Sequence, residues 1–152
     1  MDRIAIFPGS FDPFTVGHES IVRRALSLFD KIIIAIGVNR SKQPFFPLAQ
    51  RMETLRQLYA HEQRVEIASY ETLTIDFAKQ MNARFILRGL RSVYDFEYER
   101  DIAEVNRQLA SIETILLFTE RQYACISSSL VRELISYGKD ASAYLPHIPN
   151  KP

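Results

Sequence analysis

Two stretches of this chain carry residue types suited to holding and transferring phosphate. The first is Pro8-Gly9-Ser10-Phe11-Asp12-Pro13-Phe14-Thr15-Val16-Gly17-His18, which follows a short apolar run. Gly9 and Gly17 let a backbone approach an anion closely, and Pro8 and Pro13 stiffen the loop. Gly17-His18 opens a helical pattern, whose free N–H groups and dipole favour negative charge. His18 adds a side-chain donor there. Position alone leaves a plainer reading equally open, with Gly17 a turn and His18 a solvent-facing residue at a helix start. The second stretch is Ile126-Ser127-Ser128-Ser129-Leu130-Val131-Arg132. Serine hydroxyls and unpaired N–H groups at a helix N-terminus can hold outer phosphates. An ordinary N-cap needs one serine, and three in a row exceed that need.

Between these stretches lies Arg88-Gly89-Leu90-Arg91. Arginine makes forked contacts with phosphate, although by itself the pair also reads as ordinary surface charge. Lys42, in Asn39-Arg40-Ser41-Lys42-Gln43-Pro44, is a lone loop lysine of a kind ordinarily solvated. Neither the dinucleotide fingerprint G-x-G-x-x-G nor the P-loop G-x-x-x-x-G-K-[ST] occurs. Cys125 has no partner base nearby in sequence and is not read as a nucleophile. His61 and His147 lack Cys or His neighbours at metal-ligand spacing, so no protein-held metal is expected.

These residues must be positioned by the elements around them. Short apolar runs rich in branched residues predict strands at Arg3–Phe7, Lys31–Val38, Arg64–Ala68, Arg84–Leu87 and Thr114–Phe118. Continuous apolar runs of this kind suit strands covered on both faces. Amphipathic patterns predict helices at His18–Phe29, Leu48–Ala60, Thr74–Met81, Tyr94–Ala110 and Ser128–Tyr137, with Gly138 as the residue that ends the last. Phe and Tyr at helical spacing read as core. The strict β-α alternation predicts an α/β fold, a single doubly wound Rossmann-like domain over residues 1–152 with a five-stranded parallel sheet. Ligands in such sheets bind beyond the carboxyl ends of the strands, where strand order reverses, and the candidate residues fall near predicted strand ends.

Composition fits that picture. A length of 152 residues with 47% hydrophobic side chains suits one domain with its own core. A net charge of +1 gives no basic excess for nucleic acid or membrane surfaces. One cysteine allows no intrachain disulfide, which fits a reducing, cytoplasmic setting. The start MDRIAIFPGSFDP is not a signal peptide, and the longest apolar stretch, 32–38, is too short to span a bilayer.

Thr15-Val16-Gly17-His18 resembles the T/H-x-G-H motif of the nucleotidylyltransferase superfamily, and the serine stretch resembles its late I-S-S-[ST]-x-x-[RK] motif. With Ser41-Lys42, RGLR and Asp95-Phe96-Glu97-Tyr98-Glu99 added, the chain from about residue 3 to residue 146 is similar to the bacterial phosphopantetheine adenylyltransferase family. RGLR followed by DFEYE is the part that separates this family from its nicotinate-mononucleotide and glycerol-phosphate relatives.

The resemblance implies adenylyl transfer from ATP to 4′-phosphopantetheine, with Mg²⁺ on the ATP phosphates and a homohexameric assembly. It implies that Ser10, Phe11, His18, Gly89, Leu90, Arg91, Glu99 and the run Ala124, Cys125, Ile126, Ser127, Ser128, Ser129, Leu130 meet ATP. It implies that Ser10, Lys42, Thr74, Arg88 and Asn106 meet the acceptor, and that His18, Lys42 and Arg91 serve catalysis. Ser10 replaces a more usual threonine but keeps the hydroxyl. The prolines of the tail Tyr144–Pro152 oppose the terminal helix that many relatives carry. Two competing readings are transfer to nicotinate mononucleotide or of a cytidylyl group to a polyol phosphate, and a non-catalytic adenine-nucleotide sensor. RGLR with DFEYE weighs against the first, and the joint presence of His18, Lys42, Arg88 and Arg91 against the second.

Overall fold

Alternate residues of a strand face opposite sides of its sheet, and in the run from Lys31 to Gly37 both sets are apolar. Ile32, Ile34 and Ile36 are wholly buried on one face, and Ile33 and Ala35 on the other. In the computed structural model, which describes residues 1–149, this run is the second of five strands: β1 (Ile4–Gly9), β2 (Lys31–Gly37), β3 (Val65–Tyr70), β4 (Phe85–Leu90) and β5 (Glu113–Phe118). Five α-helices alternate with them: α1 (Val16–Ala25), α2 (Leu48–Leu58), α3 (Thr74–Gln80), α4 (Val93–Ala110) and α5 (Ser128–Ser136). Gly138 follows α5 in the left-handed conformation, with φ of 68°.

The sheet is all-parallel in the order β3-β2-β1-β4-β5, the doubly wound arrangement expected. Strand order reverses between β1 and β4. One face is covered by α1 and α2, whose Ile21, Val22, Ala25, Met52 and Leu55 pack on Ala5, Phe7, Ile34 and Leu87. The other face is covered through Ile75, Phe77 and Ala78 of α3, against Ile6, Ile33 and Ile86.

Pairing between β1 and β4 is limited to Ala5 with Phe85 and Ile6 with Ile86, whereas β1 pairs with β2 through Gly9. Proline has no N–H to donate to a ladder, and Pro8 lies where β1 and β4 part. The sheet therefore opens at its carboxyl end at the reversal point, and the opening is where the candidate residues gather.

Three expectations are corrected. β4 continues to Leu90, so Arg88, Gly89 and Leu90 lie within the strand and not after it; they alternate between its two faces. α1 begins at Val16, two residues early, because Thr15 caps it. α4 does not bury its aromatic residues: Tyr94 and Tyr98 are exposed, as are Val93, Val105 and Leu109, and Glu99 is the one buried residue of the helix. Among the described residues no terminal helix follows the short turn Ser142–Tyr144; residues 150–152 of the tail lie outside the described residues. No described helix is long and apolar enough to cross a membrane.

Candidate active site

The opening between β1 and β4 leads into a cleft of about 370 Å³. Its walls come from Pro8–Phe11, from Thr15, Gly17 and His18 at the start of α1, from Arg88, Gly89 and Arg91, and from Ile126–Ser129 with Arg132. These are the two candidate stretches and RGLR, brought together by the topology from positions more than a hundred residues apart.

The loop after β1 has no strand to pair with, so its backbone groups need other partners. Arg88 Nη1 donates to Pro8 O (2.8 Å), Arg51 Nη1 to Ser10 O (2.6 Å), Arg132 Nη1 to Asp12 O (2.9 Å) and Ser128 Oγ to Pro13 O (2.8 Å). The Asp12 carboxylate accepts the N–H groups of Phe45 and Phe46 at 2.7 and 2.8 Å, which ties the loop to the segment before α2. Phe11 is held at a φ of 45°, in the left-handed region that bulky residues rarely adopt. Its ring folds back over Gly9, where a Cβ would lie 2.9 Å from the ring. Gly89 also lies close under α1, where a Cβ would sit 3.2 Å from the Ile21 side chain, tighter than an ordinary contact.

His18 serves two ends. The Thr15 side chain accepts the His18 backbone N–H, and the Thr15 backbone N–H donates to His18 Nδ1 at 3.0 Å, forming a reciprocal cap. Since Nδ1 accepts a backbone proton, the neutral ring carries its hydrogen on Nε2. Among the described residues Nε2 has no hydrogen-bond partner and is not sealed from solvent, and the ring lines the cleft. Phe11 and Phe14 pack against it at centroid distances of 5.1 and 5.2 Å. Burial, followed by the positive charges of Arg91 and Arg88, pulls its pKa from 6.5 to about 4. Near neutral pH His18 is therefore an uncharged N–H donor; it lines the cleft and caps α1, and its ring packs against Phe11 and Phe14 instead of facing solvent as the plainer reading has it.

The other candidates sort by position. Ser10, Phe11, His18, Arg88, Gly89, Arg91, Glu99, Ile126, Ser127, Ser128 and Ser129 line the cleft. Ala124, Cys125, Leu90 and Leu130 do not; Leu90 is buried in the core, and the Leu130 N–H is taken by the Ser127 hydroxyl, which caps α5. Thr74 and Asn106 line a second cavity of about 400 Å³, walled mostly by apolar residues including Leu73, Ile75, Ile102 and Leu109. Arg88 and Glu99 border both cavities.

Arg88 is not a free cation. Its Nε and Nη2 donate to Glu99 Oε1 at 2.9 and 2.7 Å, and Glu99 is only 7% exposed. Arg91 is partly engaged by Asp95, 3.5 Å away. Lys42 is not brought to the cleft. Its loop is a turn closed by Asn39 and tethered by the Arg40–Glu71 ion pair, which leaves Lys42 exposed.

Thr15 and Arg132 belong to motifs visible in the sequence, but their roles as tautomer-setting cap and loop clamp were not foreseen. Asp12 and Arg51 were missed. A signal existed for Arg51: it falls on the apolar face of α2 with Leu48, Met52 and Leu55, where a solvated arginine would not sit. Asp12 carried none.

The His18 environment makes a direct prediction. The unfolded chain binds the His18 proton below about pH 6.5, and the folded one only below about 4. Stability contributed by this group is therefore full above 6.5 and falls as pH is lowered through that window. Imidazole resonances of His18 followed by NMR should show Nε2 protonated and Nδ1 bare at pH 7, with titration below pH 5. Titration near or above 6.5 would contradict this environment.

The sequence pattern of the Cytidylyltransferase-like family matches residues 6–134. Over 144 residues the chain is 55% identical to the phosphopantetheine adenylyltransferase of Bacteroides fragilis, covering 95% of this chain and 96% of that protein. It is 57% identical to the one from Bacteroides thetaiotaomicron, covering 95% of each. Among solved structures, a Vibrio parahaemolyticus protein described as a nicotinate-nucleotide adenylyltransferase superposes with a TM-score of 0.73 over 97% of this chain and 88% of its own, at 18% identity. At that identity the likeness speaks to the fold alone. The chain belongs to the cytidylyltransferase-like family and, within it, to the phosphopantetheine adenylyltransferases.

Proposed function

We propose that this chain transfers the adenylyl group of ATP to 4′-phosphopantetheine, forming dephospho-coenzyme A and pyrophosphate in coenzyme A synthesis. The observation that carries this reading is the pair of cavities meeting at Arg88 and Glu99. The hydroxyl- and arginine-lined cleft suits a nucleotide and its phosphates. The apolar-walled cavity, with Thr74 and Asn106 as polar points, suits a long, mostly apolar arm whose phosphate ends at the junction. A nicotinate ribonucleotide has no such arm, and a sensor of adenine nucleotide has no need of the second cavity.

In the reaction an oxygen of the acceptor phosphate attacks the α-phosphorus of ATP. The bond from that phosphorus to the bridging oxygen breaks, and its electron pair leaves with pyrophosphate. A phosphate monoester with a second pKa near 6 is largely dianionic at neutral pH, so no general base is needed. Catalysis then rests on in-line placement and on donors aimed where charge develops. His18 would offer Nε2–H to the transferring phosphate without competing for a proton. Arg91 and the start of α5 at Ser127–Ser129 would hold the outer phosphates, and Ser10 would lie at the junction of the two substrates. Arg88, steadied by Glu99, would meet the acceptor phosphate with its remaining N–H groups. Lys42 would join only when its exposed turn moves over the acceptor.

Among the described residues no cluster of three metal-ligating side chains occurs, and the carboxylates at the cleft, Asp95 and Glu99, are paired with arginines. That donor set, two arginine-paired carboxylates among hydroxyls, fits Mg²⁺ carried by the nucleotide and not by a protein cage, and Asp95, Ser127 and Ser129 are the cleft side chains that would help to hold it. Bound there it would neutralise phosphate charge. Homohexamer formation is part of the proposal, supported by the exposed Val93, Tyr94, Tyr98, Val105 and Leu109 of α4. So is action in the cytoplasm, which suits the lone, unpaired Cys125.

Pyrophosphate release measured with ATP, Mg²⁺ and each acceptor in turn should be fastest with 4′-phosphopantetheine; equal turnover with nicotinate mononucleotide would overturn the assignment. His18→Ala should lower kcat by roughly 10²–10³, about 2.7–4 kcal/mol, with little change in KM for either substrate. A fall in melting temperature with kcat retained would mean that His18 only caps α1.

A further inference from the structure

A third cavity lies on the far side of Phe11 from the catalytic cleft. It has a volume of about 430 Å³ and lies, open on one side, between the loop after β1, one face of α2 and the segment 142–148. Its lining is mainly apolar: Phe11, Phe14, Phe46 and Leu58 on one side, Leu145 and Ile148 on the other. Into this lining is set Arg51, which is only 9% exposed.

Arg51 is incompletely matched. Nε donates to Phe46 O at 3.0 Å and Nη1 to Ser10 O at 2.6 Å. Both acceptors are neutral carbonyls, and among the described residues no carboxylate forms an ion pair with it. Among the described residues Nη2 makes no hydrogen bond, and Arg51 is part of the cavity lining. Buried charges in proteins are ordinarily paired. An apolar hollow of this size with one convergent charged group has the make-up of a small-molecule site.

We propose that this cavity binds a small apolar monocarboxylate, with the carboxylate on Arg51 Nη2 and the hydrocarbon body against Phe14, Leu58, Leu145 and Ile148. One negative charge matches the one unpaired guanidinium. A phosphate dianion would bring a second charge into the apolar lining with nothing to meet it, and a neutral hydrocarbon would leave Arg51 unmatched. The site is separate from both substrate cavities and stands whether or not the acceptor is 4′-phosphopantetheine.

Isothermal titration of the intact chain with octanoate, and separately with octan-1-ol, tests this. Saturable one-to-one binding of octanoate is expected, at least tenfold tighter than octan-1-ol. Thr54 lies on the cavity wall and outside the catalytic cleft, so Thr54→Trp should fill the space, weaken octanoate binding at least tenfold and leave pyrophosphate release unchanged. Arg51→Met should remove the preference for octanoate over octan-1-ol; if loss of the bond to Ser10 unfolds that variant, Thr54→Trp decides. Absence of saturable binding, equal binding of the alcohol, or octanoate binding unaffected by Thr54→Trp would each overturn the proposal.

Discussion

The end of β1 and the loop after it, Pro8 to Pro13, have no partner strand on the β4 side, and the site depends on how this segment is held. Four of its carbonyls accept hydrogen bonds from side chains carried by β4, α2 and α5, three of them from guanidinium groups. Asp12 completes the hold by accepting two backbone N–H groups from the segment before α2. Hydrogen bonds with a charged partner contribute about 1.5–3 kcal/mol each. A set of them over six residues is enough to keep Phe11 in a backbone conformation that it would not choose alone.

This hold links the fold to the chemistry. The sheet parts between β1 and β4 because Pro8 has no N–H for the ladder, and Arg88 spans the gap with a side chain instead of a strand. Arg88 thereby borders both the cleft and the second, apolar-walled cavity and lends positive charge to the cleft. Burial of the ring beside Phe11 and Phe14 keeps His18 neutral, helped by the charge of Arg91 and, least, that of Arg88. The backbone of Thr15, fixed at the end of the same loop, decides which ring nitrogen bears the hydrogen. An imidazole prepared in this way has a hydrogen to offer and takes up no proton near neutral pH, which suits the proposed transfer, whose nucleophile is already ionised.

Much of this was legible from residue types. The apolar runs gave strands buried on both faces, and β-α alternation led to the doubly wound order. The two glycine- and serine-bearing stretches proved to share one cleft because the reversal point of such a sheet gathers strand ends. What was not legible depends on contacts across the chain. β4 runs through Arg88-Gly89-Leu90 because the core needs Leu90 and α1 lies close over Gly89, and no local pattern reports either contact. The serine run read as phosphate donors turns out also to be structural, with Ser127 capping α5 and Ser128 holding Pro13. Lys42 reads from its residues as a solvated loop lysine, and the resemblance alone places it at the acceptor; an asparagine turn and an ion pair hold its loop, and it stays in solvent. The aromatic residues of α4 read as core and are exposed, since helical spacing shows a stripe but not what covers it.

Asp12 gives the most direct test of the claim that loop geometry governs the chemistry, because it anchors the loop and does not itself line the catalytic cleft. Steady-state kinetics on Asp12→Ala, with the folded fraction measured alongside, separates geometry from stability. Loss of the two hydrogen bonds from the part-buried N–H groups of Phe45 and Phe46 to a charged acceptor should cost up to about 1.5–3 kcal/mol each in stability. The account predicts that the remaining folded enzyme is also slower by roughly 10²-fold in kcat, the order expected for a small misplacement of reacting groups. A lower melting temperature with kcat of the folded fraction within about threefold of the unsubstituted protein, well under that misplacement cost, would contradict it.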